Sequence, residues 1–445
     1  GLAGARAAGR WKVVPLAASA ALAAIGTAGT VALFERLSAH AAVAWYAEAA
    51  AIMEATLPPP IPASINAAPL HRQVAVLLQD DPEFRRHGVE GRFEDVAIGS
   101  EKYEQSLAMY AVAIDVARRA ADRDACRFEG DWSRRSILTT TADLRVIRQE
   151  SRLFAFAARR AAFEGRSSAA IADVLRIRRL AHQSMAGAGW IGNILAVHLT
   201  MDFCETLVSV LQTTEATEQT VFDGPAFADA LAPLPSMSSS VLQEEAKMLT
   251  TFADVASGRV TFGEIDGGWG NIPVDDAFGA GILGRLYRAF LVQPEMDCCR
   301  SLSKRTHDAV VERDTATIPW SEIDRRLIAF QEDRINRGIL PDALQPSWEM
   351  ILTFQTRAEV SVRAARVCLA ATRYRLRTGT LPDSLEQLVP DEFSFLPRDP
   401  FTNDEPLRMK KVDRGMVVYC VGDDGKDDGG PTTRERSEND SDDFG

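Results

Sequence analysis

Residues 13–34, VVPLAASAALAAIGTAGTVALF, run for 22 positions without a charged side chain. A helix rising about 1.5 Å per residue over that length matches a hydrocarbon core of about 30 Å. Arg6, Arg10 and Lys12 precede the run, and basic residues mark the end of a span that stays in the cytoplasm. The expectation is a cytoplasmic basic flank over residues 1–12 and a transmembrane anchor over 13–34. The bulk of a single-pass cell-membrane protein would then lie outside the cytoplasm. Two other readings compete. Ala39-His40-Ala41 has the small-x-small form of a signal-peptide cleavage site, although the run exceeds the usual apolar stretch of about 7–15 residues. An Ala-rich helix buried in a soluble core is the third reading.

The chain has 445 residues, of which 46% are hydrophobic and 25% charged, the composition of a globular protein with room for two or three domains. Its net charge of -12 argues against a nucleic-acid partner, because phosphates require a basic face. Cys126, Cys204, Cys298, Cys299, Cys368 and Cys420 show no metal-ligand spacing and fit buried thiols. Their spacing assigns no disulfide, and a bridge between the adjacent Cys298 and Cys299 would strain the peptide.

Beyond the apolar run, hydrophobic residues return every three or four positions. Ala42, Trp45, Ala49 and Met53 continue a helix up to Pro58-Pro59-Pro60, which ends it. The segment Leu70 to Leu78 suits helix or strand, and Tyr103 to Ala121 reads as one amphipathic helix. Leu144 to Phe163 and Ala169 to His182 form a hairpin with Ser168 as N-cap, Gly165 and Ala170 spaced as in a tetratricopeptide unit and small Ala158 on the first helix. Further helices are expected over residues 191–212, 225–230, 240–256, 280–292, 320–336 and 348–377. Residues 35–345 thus read as an irregular, repeat-like α-helical domain. Residues 346–430 read as a long helix plus a small α+β domain. In it, 407–411 and 416–421 pair as a hairpin with Val417, Tyr419 and Val421 on one face, and Val417 and Tyr419 packed with Leu385 and Leu388. Residues 431–445 read as a disordered acidic tail. The class is mainly α.

The α+β ending carries a family resemblance. After the helix come Gly379-Thr380-Leu381-Pro382-Asp383-Ser384-Leu385 and Leu388-Val389-Pro390. Leu396-Pro397-Arg398-Asp399-Pro400-Phe401 follows, then Val417-Val418-Tyr419-Cys420-Val421-Gly422-Asp423-Asp424-Gly425-Lys426-Asp427-Asp428-Gly429-Gly430. This order resembles the globular end of the type II secretion major pseudopilins over about residues 358–430. The resemblance implies a small sheet packed on the long helix, with calcium bound at the final loop. Carried over by position, its ligands are Asp423, Asp424, Asp427 and Asp428. The helix itself departs from that pattern: Arg357, Glu359, Arg363, Arg366 and Arg373 bar it from a bilayer. The prepilin cleavage glycine, aromatic residue and fifth-position glutamate are also missing beside the anchor. The chain therefore looks like a pseudopilin-type head on a helical domain. Taken whole, it also resembles large anchored planctomycete proteins of unassigned role.

Four carboxylates on a glycine-flexible turn suit Ca²⁺, which takes six to eight oxygens, but a charge run also suits a solvated turn. Other motifs fail on context. Gly279-Ala280-Gly281-Ile282-Leu283-Gly284 lacks the preceding strand of a dinucleotide site. Ser301-Leu302-Ser303-Lys304 lacks its penicillin-binding partners. His182, His198, Asp202 and Cys204 form no complete ligand set. No catalytic residue emerges. The leading expectation is a non-catalytic, membrane-anchored extracytoplasmic scaffold with protein partners in the cell envelope, linked to secretion or envelope assembly. One alternative is an exported hydrolase with Glu264 and Asp266 in the glycine-rich stretch 258–275. The other is a tetratricopeptide-like peptide-binding module.

Overall fold

The computed structural model describes residues 2–430 except 58, 80, 82–87, 90–92, 94–95, 129–141, 186–188, 214–224, 262–263, 266–280, 316–321, 324, 330–337, 345, 403–404, 413–414 and 423. The side chains of residues 2–25, 142–143, 225–226, 228 and 342–343 lie outside the description. Among the described residues the protein is mainly α, with thirteen helices and one antiparallel two-stranded sheet near the carboxyl end.

Helix α1 is continuous over Leu2–Thr56. From Val31 onward one stripe is buried: Val31, Ser38, Ala42, Trp45, Ala49 and Met53, the three-four spacing of a helix laid on a core. Its partners are α9 (Ser238–Ala256) and α10 (Ile282–Phe290). Before that stripe, Gly26 to Thr30 are exposed.

The next helices are α2 (Ala68–Gln79), α3 (Glu101–Met109), α4 (Ala111–Ala121), α5 (Ala142–Phe163), α6 (Ser167–Ser184) and α7 (Gly189–Thr213). The expected single helix 103–121 is broken at Tyr110, whose φ of -91° and ψ of 6° leave the helical basin. Its ring is buried and its hydroxyl donates to Asp81 Oδ2 at 2.6 Å, a long-range contact invisible to local periodicity. Helices α5 and α6 form the expected hairpin, with Gly165 at φ 73° in the connection and Ala158 and Ala170 fully buried. Its cap differs from expectation. Helix α6 begins at Ser167, so Ser168 lies inside the helix and Arg166 takes the N-cap position. Among the helices whose side chains are described throughout, α7 is the one long and apolar enough to cross a membrane. It packs instead against α5, α6, α9 and α13 as a core helix.

After α8 (Pro225–Ala230) and α9 come α10, α11 (Val292–Asp314), α12 (Ile339–Leu344) and α13 (Trp348–Thr378). Helix α11 was not anticipated. Its inward positions Val292, Met296, Cys299, Ser303, Thr306 and Val310 keep helical spacing, but two are hydroxyl side chains and the outer face is charged, which hides the apolar period. Pro294 is tolerated because it stands in the first turn, where no helical N–H is lost.

Helix α13 ends at Gly379, whose φ of 84° forms a left-handed cap. A 3₁₀ turn, Leu385–Leu388, then leads to strands β1 (Arg408–Val412) and β2 (Gly415–Tyr419). The pairing runs from Arg408↔Tyr419 to Val412↔Gly415, so the expected hairpin is present. Its facing differs from expectation along the strand. Val418 and Cys420, rather than Val417 and Tyr419, enter the cluster formed by Leu385, Leu388, Phe401, Leu407 and α13 residues Val360, Val367 and Ala370, while Val421 joins it as expected. Tyr419 is buried on the other side by the returning loop, where a Cβ on Gly430 would lie 2.6 Å from the ring. A strand has period two, so a one-residue phase change swaps every side chain between faces.

Candidate functional site

The loop after β2 is where the metal reading can be tested against geometry. Its organising group is Asp399, fully buried at the turn before Phe401. Asp399 Oδ1 accepts from Phe401 N at 2.9 Å, and Oδ2 from Val421 N at 3.0 Å. Burial pushes its carboxyl above the usual range, against the lowering effect of those two amides and of the nearby Arg408 and Arg363. Arg408 Nη1 stands 3.7 Å from Asp399 Oδ2, while its Nε lies 2.9 Å from Asp427 Oδ2. One guanidinium therefore joins a buried and an exposed carboxylate. Asp427 Oδ1 also accepts from Gly429 N at 2.9 Å. Lys410 Nζ donates to the carbonyls of Gly429 at 2.5 Å and Gly430 at 2.7 Å.

Of the four expected ligands, Asp423 lies outside the described residues. Asp424 closes its own turn: Oδ1 accepts from Lys426 N at 2.9 Å, and Oδ2 lies 3.2 Å from Lys426 Nζ. Those contacts hold its carboxyl below the usual range. Asp427 faces Arg408, and Asp428 is exposed. Among the described residues no three His, Cys, Asp or Glu side chains converge on a common point. Side-chain cations from Arg408, Lys410 and Lys426 meet the oxygens of this loop.

The other singled-out residues are dispersed. His198 Nδ1 donates to Ile194 O at 2.8 Å, and Asp202 Oδ2 accepts from Ser151 at 2.9 Å. Burial and the neighbouring Arg178 lower the imidazole of His182, while burial pushes the Cys204 thiol up to about 12. Glu264 accepts from Thr261 N and Oγ1 at 2.7 and 3.0 Å, capping its own short turn. Asp266 lies outside the described residues.

Two polar centres were not singled out from the sequence. In the first, His71 and Glu150 are both fully buried. His71 Nδ1 lies 2.8 Å from Glu150 Oε2, and Nε2 lies 3.1 Å from Gln183 Oε1. Gln183 Nε2 donates to the carbonyls of Ala120 and Arg123, both at 3.1 Å, which orients its oxygen toward the ring. Both ring nitrogens thus face acceptors, the requirement of an imidazolium. Burial depresses the imidazole, but Glu150 and Cys126 outweigh it and push its pKa up to about 10. Burial raises the Glu150 carboxyl while the imidazolium opposes that rise. With both nitrogens occupied, His71 has no free lone pair to act as a general base. In the second centre, buried Arg178 donates to Ala230 O at 2.8 Å, Ala232 O at 2.7 Å and Thr200 Oγ1 at 2.7 Å. It ties α6 to α7 and to the end of α8.

A groove of about 240 Å³ lies among α3, α4, α5 and α6, floored by Leu107, Ala111, Ile114 and Ala161. Each arginine on its rim faces an acid: Arg118 with Asp173, Arg160 with Glu104 and Glu164, Arg166 with Glu164. The rim is a set of ion pairs, and no nucleophile–base pair lines it. Comparison with family models, curated proteins and solved structures finds no match.

Proposed function

We propose that this chain is a membrane-anchored scaffold of the cell envelope, crossing the bilayer through the first part of α1 and presenting its helical body and small terminal hairpin outside the cytoplasm. The observation that carries this reading is the division of α1. The uncharged run 13–34 and the packed stripe belong to one uninterrupted helix; of the described side chains in that run, Gly26 to Thr30 are exposed and burial begins at Val31. The signal-peptide alternative is weakened by the same geometry. Cleavage after Ala41 would remove Glu35 from Arg285 and Arg288, and Val31 and Ser38 from the body. The pseudopilin-like ending is supported by its long helix, glycine cap and hairpin order. The ion-pair-rimmed groove and the satisfied centres around His71 and Arg178 suit a structural role better than a catalytic one.

Carbonate washing of membranes is expected to leave the intact protein in the pellet, and protease added to spheroplasts is expected to digest its helical body. Recovery of a soluble form starting near Ala42 would refute the anchor. The calcium reading belongs to the same proposal and has its own test. For Ca²⁺ to reach Asp427, the ion has to displace Arg408, so Arg408→Ala should enlarge the rise in melting temperature that millimolar Ca²⁺ causes over chelator. Identical curves in both proteins would return the loop to a solvated turn.

A further inference from the structure

Helix α10 carries its large apolar side chains on the outside. Ile282, Leu286 and Phe290 recur every four residues, Leu283 lies beside them, and Leu291 follows at the turn. Ile282 is 65% exposed and Leu283 53%. Both arginines of the helix flank this face and pair with Glu35 of α1. Arg285 Nη2 lies 3.0 Å from Glu35 Oε2, and Arg288 Nη2 lies 3.2 Å from Glu35 Oε1. Glu35 is the first charged residue after the uncharged run of α1. The Phe290 ring stands 5.2 Å from Phe34, the last residue of that run, and Leu33 and Leu37 are exposed nearby.

These residues make one apolar surface that continues from the end of the uncharged run onto a second helix. Water-facing patches of that kind mark binding surfaces. A helix with an exposed apolar face flanked by arginines is suited to lie in the boundary between headgroups and acyl chains. Pairing both arginines with Glu35 lowers the cost of bringing them toward a medium of low dielectric. The position along α1 selects lipid as the occupant. A helix packed beside Phe34 and Glu35 sits at the depth where an anchor of residues 13–34 leaves the hydrocarbon.

We propose that α10 is an interfacial helix, seated in the surface of the bilayer that α1 crosses, and that it fixes the tilt of the body against the membrane. This inference rests on the anchor reading, and the experiment separates the two. The full chain is reconstituted into phosphatidylcholine–phosphatidylglycerol vesicles with a polarity-sensitive fluorophore at Leu286→Cys, Ala28→Cys or Val112→Cys. The unchanged chain, labelled in parallel, provides the background from native thiols. Val112 is 65% exposed on α4, a helix that packs on α2, α5 and α6.

The expected result is several-fold stronger quenching by nitroxide-bearing lipid at Leu286 and Ala28 than at Val112, with iodide quenching only Val112. Lipid quenching at Ala28 with iodide quenching at Leu286 would overturn the interfacial helix and leave the anchor standing. Protection of Leu286 from both quenchers would also overturn it, because a second copy or another protein would then cover the face. Iodide quenching at both Ala28 and Leu286 would overturn the anchor and the interfacial helix together.

Discussion

His71 shows how one residue can set a pH response without taking part in chemistry. Its folded pKa near 10 stands above the ordinary 6.5, so the folded chain binds a proton there that the unfolded chain has lost. The stabilisation is complete below about 6.5 and is lost as pH rises toward 10, with a maximal slope of about 1.4 kcal/mol per pH unit. The difference in melting temperature between the unchanged chain and His71→Gln, followed from pH 6 to 10 in detergent, is expected to shrink as pH rises. A constant difference would show that the ring is neutral. Glu150→Ala leaves a buried imidazole without its partner and is expected to cost about 3–5 kcal/mol at pH 7. None of this was visible in the sequence, where His71, Glu150 and Gln183 are separated by 79 and then 33 positions. Their polarity on otherwise apolar faces was the available signal, and it names no partner.

Helices were readable wherever a local rule governs them. The three-four recurrence of apolar residues located α5, α6, α7, α9 and α13, because each buries one stripe on the core. The end of α13 was equally clear, since Gly379 supplies a left-handed cap that other residues adopt at a cost. Gly379→Ala leaves open space for the methyl group but strains φ 84°, so it is expected to lower stability by about 1 kcal/mol. A thermal melt of the two proteins measures this. Elements failed to read where burial and polarity disagree, as at α11, whose inward face includes Ser303 and Thr306. The hairpin lay in between. Its strands and turn were legible from β-branched residues and Gly415, while the facing was not, because the loop through Gly430 covers one side and α13 the other.

At the scale of the molecule, two of the three apolar clusters cross the divisions that composition suggests. The first joins α2 to α8 and takes Val362, Ala365 and Leu369 from α13. The third joins the hairpin and α13 to Met237, Val241 and Val310. Helix α13 is thus shared between the helical body and the small terminal unit. A chain ending at residue 345 would expose the surface that α13 covers on α7. Segment 346–430 alone would expose its partner faces in turn. Each buried Val or Leu is worth about 1.5–3 kcal/mol. Neither fragment is therefore expected to melt cooperatively, although the two co-expressed are expected to associate. Calorimetry on each piece and on the mixture tests this, and a sharp transition in 346–430 alone would show an autonomous domain.

Local physics was enough to make the class mainly α, to place most helices and the terminal hairpin, and to mark the uncharged run inside α1. Those properties depend on neighbours within a few residues along the chain. Only the tertiary structure decided that the most apolar described helix, α7, lies in the core, and that Asp427 meets Arg408 rather than its neighbouring carboxylates. It likewise brought Glu35 to arginines 250 and 253 positions away. Such pairings arise when packed helices bring distant segments together, an approach that spacing along the chain does not encode.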